Sequence, residues 1–90
     1  VIARATVQIV NERGLHARAS AKFVKLAAAY ESAIEVSRED QTVDALSIMG
    51  LMMLAAGLGS SIEITGHGAD AEAAVAALRR LVENRFEEER

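Results

Sequence analysis

The chain has 90 residues, 51% hydrophobic and 26% charged, with a net charge of −3 and no cysteine. That length holds one core and hence one domain, residues 1–90, near the lower limit for folding without metals or disulfides. The missing cysteines exclude disulfides, thiolate metal sites and cysteine nucleophiles, and the acidic balance, with only Phe23, Tyr30 and Phe86 available for base stacking, argues against nucleic acid.

Residues 3–10 alternate as a half-buried strand, with Ala5, Val7 and Ile9 on one face, and residues 11–14 break it. Residues 17–30 carry Ala19, Phe23, Leu26, Ala27 and Tyr30 at helical spacing, with Arg18, Lys22 and Lys25 as a second, basic stripe. Residues 13–30 contain no acidic side chain, so a basic patch is expected around this helix. The short runs 33–37 and 41–45, rich in β-branched residues, predict an antiparallel hairpin turning at Arg38, Glu39 and Asp40. Ser47 is a preferred N-cap for a helix over 48–56 that ends at Gly57 or Gly59. A fourth strand over 61–65 stops at Gly66. Asp70 then caps a helix whose apolar face is Ala71, Ala74, Val75, Leu78, Leu81 and Val82. Glu87 to Glu89 read as a solvated or fraying end. One-sided helices beside alternating strands predict two layers, a mostly antiparallel four-stranded sheet covered on one face.

The run 48–58 is too short to span a bilayer, and the N-terminal residues lack the layout of a signal peptide; no membrane insertion and a cytoplasmic location are expected.

His16 stands at the entrance of the first helix, where Ser, Thr, Asp or Asn is usual, and Arg18 places positive charge beside the positive end of the helix dipole. Two broken local rules point to function. A helix N-terminus offers free N–H groups to an anion; with imidazole before it and a guanidinium beside it, a phosphoryl group could be held covalently, the amides of Ala17 and Arg18 and the Arg18 side chain facing its oxygens. By composition and spacing alone, an ordinary surface histidine at a loop end explains His16 equally well. The other histidine, His67, lies between glycines in an expected turn, and no carboxylate stands at metal-ligand spacing from either ring, so neither metal nor cofactor is expected. Residues 47–54, SIMGLMML, are too apolar for one buried stripe; exposed apolar side chains for adaptable partner contacts would explain this, but on the residues alone a helix fully packed in the core is the favoured reading, because apolar stripes mostly mean core.

The segments GLHARAS, at 14–20, and SIMGLMMLAAG, at 47–57, together resemble HPr, the histidine-containing phosphocarrier family of the bacterial phosphoenolpyruvate-dependent phosphotransferase system. The resemblance extends over nearly the whole chain and implies an α+β fold, an open-faced two-layer βαββαβα sandwich. It implies that His16 accepts a phosphoryl group on Nδ1 from phosphorylated enzyme I and passes it to a IIA protein or domain. Arg18 matches the family's phosphate-site arginine, while Ala19 stands where proline is usual. Ile48, Met49, Met52 and Met53, with Ala17, Ala21 and Lys25, become the partner docking patch. Ser47 becomes a target for an ATP-dependent HPr kinase/phosphorylase, although Leu46 replaces a common lysine and the N-cap role already explains the serine. Such a protein is a monomeric carrier, not a free-standing enzyme. The alternatives are an HPr-like regulatory module working only through Ser47 phosphorylation, and a small acylphosphatase-type hydrolase, for which a glycine-rich phosphate cradle is missing.

Overall fold

A computed structural model describes all of residues 1–90. The elements run β1 (Ile2–Gln8), α1 (Ala17–Ala27), β2 (Ala33–Arg38), β3 (Gln41–Asp44), α2 (Ile48–Met53), β4 (Ser61–His67) and α3 (Ala71–Glu83), followed by a single turn, Arg85–Glu87. The strands form one antiparallel sheet in the order β1-β4-β2-β3. Its register aligns Ala5, Ile64, Val36 and Val43 in one row across the sheet and Thr6, Glu63, Ser37 and Thr42 in the next. Successive side chains on a strand point to opposite faces, so the first row meets the helices and the second faces solvent. The open-faced two-layer βαββαβα sandwich expected from the sequence is therefore the observed fold. A core of 19 buried residues joins the sheet to the helices, with Phe23 from α1 and Phe86 from the final turn both fully enclosed. No helix is long and apolar enough to cross a membrane.

Several boundaries differ from the sequence reading. Helix α1 stops at Ala27, three residues before Tyr30, because Ala29 and Tyr30 donate to the carbonyls of Leu26 and Ala27 in i to i+3 bonds that tighten the last turn. Arg38 belongs to β2, and the hairpin loop is Glu39 and Asp40 alone. Helix α2 ends at Met53, well short of the glycines. Ala55 takes the left-handed conformation (φ +52) usually given to glycine, and Arg38 Nη1 reaches across to donate to the Leu54 carbonyl at 3.1 Å. Strand β4 runs through Gly66 to His67, so His67 is a paired strand residue opposite Ile2 and Ala33. Gly66 serves packing: a Cβ there would lie 3.1 Å from Val75 Cγ2 of α3. The turn comes at Gly68 instead (φ +142).

Asp70 sits at the N-cap position of α3 but makes no capping bond. Its carboxylate accepts the N–H groups of Glu31 and Ser32, both at 2.9 Å, and the Ser32 hydroxyl, tying α3 to the connection between α1 and β2.

Candidate functional site

The loop between β1 and α1 delivers His16 by a chain of short-range restraints. Gly14 has φ +65, and a Cβ on it would come within 2.5 Å of the Ala56 carbonyl oxygen, so only glycine lets this loop pass the end of α2 so closely. The N–H of the next residue, Leu15, then donates to that same carbonyl at 3.0 Å. Asn11 is fully buried and donates Nδ2–H to the Gly14 carbonyl at 2.9 Å, and the Ser20 hydroxyl donates to the Leu15 carbonyl at 3.2 Å. His16 emerges as the N-cap of α1 in extended conformation (φ −73, ψ 178), its carbonyl accepting the Ser20 N–H at 2.8 Å. The ring makes no cap bond, so the N–H groups of Ala17, Arg18 and Ala19 are left without backbone acceptors.

Arg18 is exposed and makes neither a hydrogen bond nor an ion pair, and no acidic residue lies in the first turn of α1. The helix entrance therefore presents three free amides and an uncommitted guanidinium beside an imidazole whose side chain is 17% exposed. This combination suits an anion that approaches the ring from solvent.

The sequence reading missed the group that holds the ring. Glu87 to Glu89 are not a fraying end. Phe86 is buried in the core, Lys22 Nζ donates to the Phe86 carbonyl at 2.8 Å and pairs with Glu87 at 3.6 Å, and the segment folds back over the start of α1. Glu88 reaches His16, Oε2 bonding to ring Nε2, while Oε1 accepts Asn11 Nδ2–H at 3.0 Å. Burial pushes the Glu88 carboxyl up, but the hydrogen bonds from Asn11 and His16 and the attraction of His16 and Arg13 outweigh it and hold the group below its ordinary value. An ionised carboxylate only accepts, so Nε2 must carry the proton; in the neutral ring this leaves the lone pair on Nδ1, which has no hydrogen-bond partner. The expected basic patch changes accordingly. Arg13, Arg18, Lys22 and Arg90 line an open cleft of about 580 Å³ together with Glu12 and Glu87 to Glu89, so four cations face four carboxylates.

Helix α2 packs against α1 and shows the apolar excess expected of it. Leu51 is fully buried, whereas Ile48, Met49, Met52 and Met53 are 40%, 71%, 42% and 69% exposed, next to an exposed Leu46. On α1, Ala17, Ala21 and Lys25 are exposed at i, i+4 and i+8, one face of the helix. Ser47 caps α2, its Oγ accepting the Gly50 N–H at 2.9 Å.

Comparison with known proteins gives the same result from sequence and from structure. Residues 3–84 match the family model described as PTS HPr component phosphorylation site. The phosphocarrier protein HPr of Cupriavidus necator is 51% identical over 80 residues, covering 89% of this chain and 90% of that protein, and the one of Treponema pallidum is 45% identical over 84 residues, covering 93% and 96%. A crystal structure of HPr-C-His from Thermoanaerobacter tengcongensis superposes with a TM-score of 0.93 at 40% identity, over 98% of this chain and 99% of that one.

Proposed function

Since the chain belongs to the HPr phosphocarrier family of the phosphotransferase system, we propose that His16 carries a phosphoryl group between two partner proteins. Phosphorylated enzyme I is the donor and a IIA protein or domain the acceptor. The lone pair of Nδ1 attacks phosphorus, the bond from phosphorus to the donor breaks, and its electron pair leaves with the donor. The free amides of Ala17 and Arg18 and the Arg18 guanidinium take up the charge on the phosphoryl oxygens. Delivery reverses the step on the acceptor. The protein turns over only with these partners, as a monomeric cytoplasmic carrier and not as an enzyme with a substrate of its own.

The observation that carries this reading is the combination at one helix entrance of a ring nitrogen free to attack and unpartnered donors beside it. Nδ1 is the nitrogen that Glu88 leaves open. A solely regulatory module has no use for this arrangement. The docking surface is formed by Ala17, Ala21, Lys25, Ile48, Met49, Met52 and Met53, whose exposed apolar atoms adapt to more than one partner. Ser47 fits a regulatory role on the same surface. A phosphate there would sit comfortably at the α2 N-terminus yet bring a charge of about −2 to the docking patch and weaken partner binding; an HPr kinase/phosphorylase would supply it.

Incubation with phosphoenolpyruvate and enzyme I should yield an acid-labile, base-stable adduct that is absent from the His16→Ala variant. An adduct retained in that variant would defeat the assignment.

A further inference from the structure

We propose that Glu88 is a positioning residue for His16, holding the ring with its proton on Nε2 and offsetting the positive charge the ring acquires when Nδ1 takes up phosphorus. The proposal rests on the carrier reading given above.

Glu88 reaches the ring through backbone that is costly to make. Arg85, Phe86 and Glu87 lie at φ +60, +53 and +66, three consecutive non-glycine residues in a conformation that L side chains disfavour. The turn persists because it is over-determined: the Phe86 ring is fully buried, Lys22 Nζ holds the Phe86 carbonyl at 2.8 Å, and Arg85 Nη1 donates to the Glu89 carbonyl at 3.3 Å. Its effect is to reverse the chain after α3 and aim Glu88 at the N-cap of α1. Both carboxylate oxygens are then engaged, Oε2 by His16 and Oε1 by Asn11, whose other Nδ2 hydrogen is committed to the Gly14 carbonyl at 2.9 Å. A buried amide orients the carboxylate, and the carboxylate orients the imidazole. This is the arrangement by which a carboxylate fixes a reacting histidine's tautomer and stabilises its cationic form.

The step balances without moving a proton. The neutral ring starts with hydrogen on Nε2 and a lone pair on Nδ1; the N–P bond forms from that pair, the donor keeps the pair of the broken bond, and the ring gains a formal positive charge beside the Glu88 carboxylate. On delivery the N–P pair returns to Nδ1. A neutral ring protonated on Nδ1 has no pair to offer there, so each molecule in that tautomer is lost to transfer.

The test uses the full chain as wild type, Glu88→Ala and Glu88→Gln, each labelled with ¹⁵N. Long-range ¹H–¹⁵N spectra, taken with the ring neutral, should show His16 in a single Nε2–H form in the wild type and in mixed forms in Glu88→Ala. Transfer from phosphorylated enzyme I should be about tenfold slower in Glu88→Ala, equivalent to ~1.4 kcal/mol for one charge-assisted hydrogen bond. Glu88→Gln offers one acceptor oxygen where Asn11 and His16 both donate, and no charge, so it should restore the Nε2–H form at most in part and recover only part of the rate. Wild-type tautomer populations or a wild-type transfer rate in Glu88→Ala would overturn the positioning role and leave the carrier reading standing. A wild-type protein that accepts no phosphoryl group would bring down the carrier reading instead.

Discussion

Asp70 shows how a side chain can occupy a predicted position and do something else there. The residue precedes α3 as expected, yet its oxygens serve Ser32 and Glu31 from the far side of the loop. The Ser32 hydroxyl bond first, and then the Glu31 amide, hold its carboxyl below the ordinary value of 3.8. The folded state therefore binds fewer protons here than the unfolded chain does. The stabilisation is whole above the unfolded value and fades as pH falls through the folded one. The urea midpoint of Asp70→Asn should lie below that of wild type at neutral pH, with the gap closing below about pH 4 as the wild-type carboxylate protonates. A gap that stays constant into acid would mean that the charge contributes nothing. Gly14 is the opposite case, in which a residue read as part of a strand break and as the first of the 14–20 motif proves to have no substitute, because its missing Cβ is the space occupied by the Ala56 carbonyl.

In the proposed carrier, the segment from Ser47 to Leu54 separates stability from recognition. Its fixed parts are Ser47, which caps α2, and Leu51 with the following Leu54, which are buried; Met49 and Met53, 71% and 69% exposed, contribute little to the fold. Ser47→Ala should therefore cost about 1 kcal/mol of stability through the lost cap. Met49→Glu, at a side chain 71% exposed, should change stability by less than about 0.5 kcal/mol while slowing phosphoryl transfer between partners. Urea midpoints and transfer rates measured on both variants check this; a destabilised Met49→Glu, or one transferring at the wild-type rate, contradicts the division. The early end of α2 follows from contacts beyond the helix. Arg38 takes the Leu54 carbonyl and Leu15 takes the Ala56 carbonyl, so an alanine adopts the left-handed position while two glycines wait downstream.

At the scale of the whole molecule, the loop between β1 and α1 and the segment after α3 meet at the site. Asn11 and Glu88 are 77 residues apart in sequence, and His16 and Glu88 are 72 apart. Phe86 makes this closure part of the core, adjoining α1 and α3. Replacing it with alanine should cost about 3–5 kcal/mol, a large share of the stability of a domain this size. Folded Phe86→Ala should also show the loss of tautomer order expected for Glu88→Ala, because the turn that aims Glu88 would lose its anchor. Calorimetry and the same ¹⁵N spectra test the two effects separately, and an ordered His16 ring in folded Phe86→Ala would show that Glu88 finds the ring without the anchor.

The layers, the order of the elements, the exposed methionine face and the placement of His16 and Arg18 at a helix entrance were legible in the amino-acid sequence. The methionine face was marked by the family resemblance, against apolar spacing that favoured a packed core helix; the others depend on side-chain periodicity or on neighbours a few residues away, and such patterns survive in one dimension. The Ser47 cap was legible for the same reason, since its partner is three residues on. Asp70, Gly66, Ala55 and Glu88 were decided by tertiary structure. In each case a remote segment offered a better bond or a tighter contact than the local rule could: Ser32 to Asp70, Val75 to Gly66, Arg38 and Leu15 around Ala55, and His16 to Glu88. A run of three glutamates reads as solvated, and Glu87 and Glu89 are, but a buried phenylalanine beside the run turns Glu88 onto the ring. Periodicity locates the helix entrance that carries the histidine, but which of its nitrogens is free depends on a contact that exists only once the segment after α3 has closed over the β1–α1 loop.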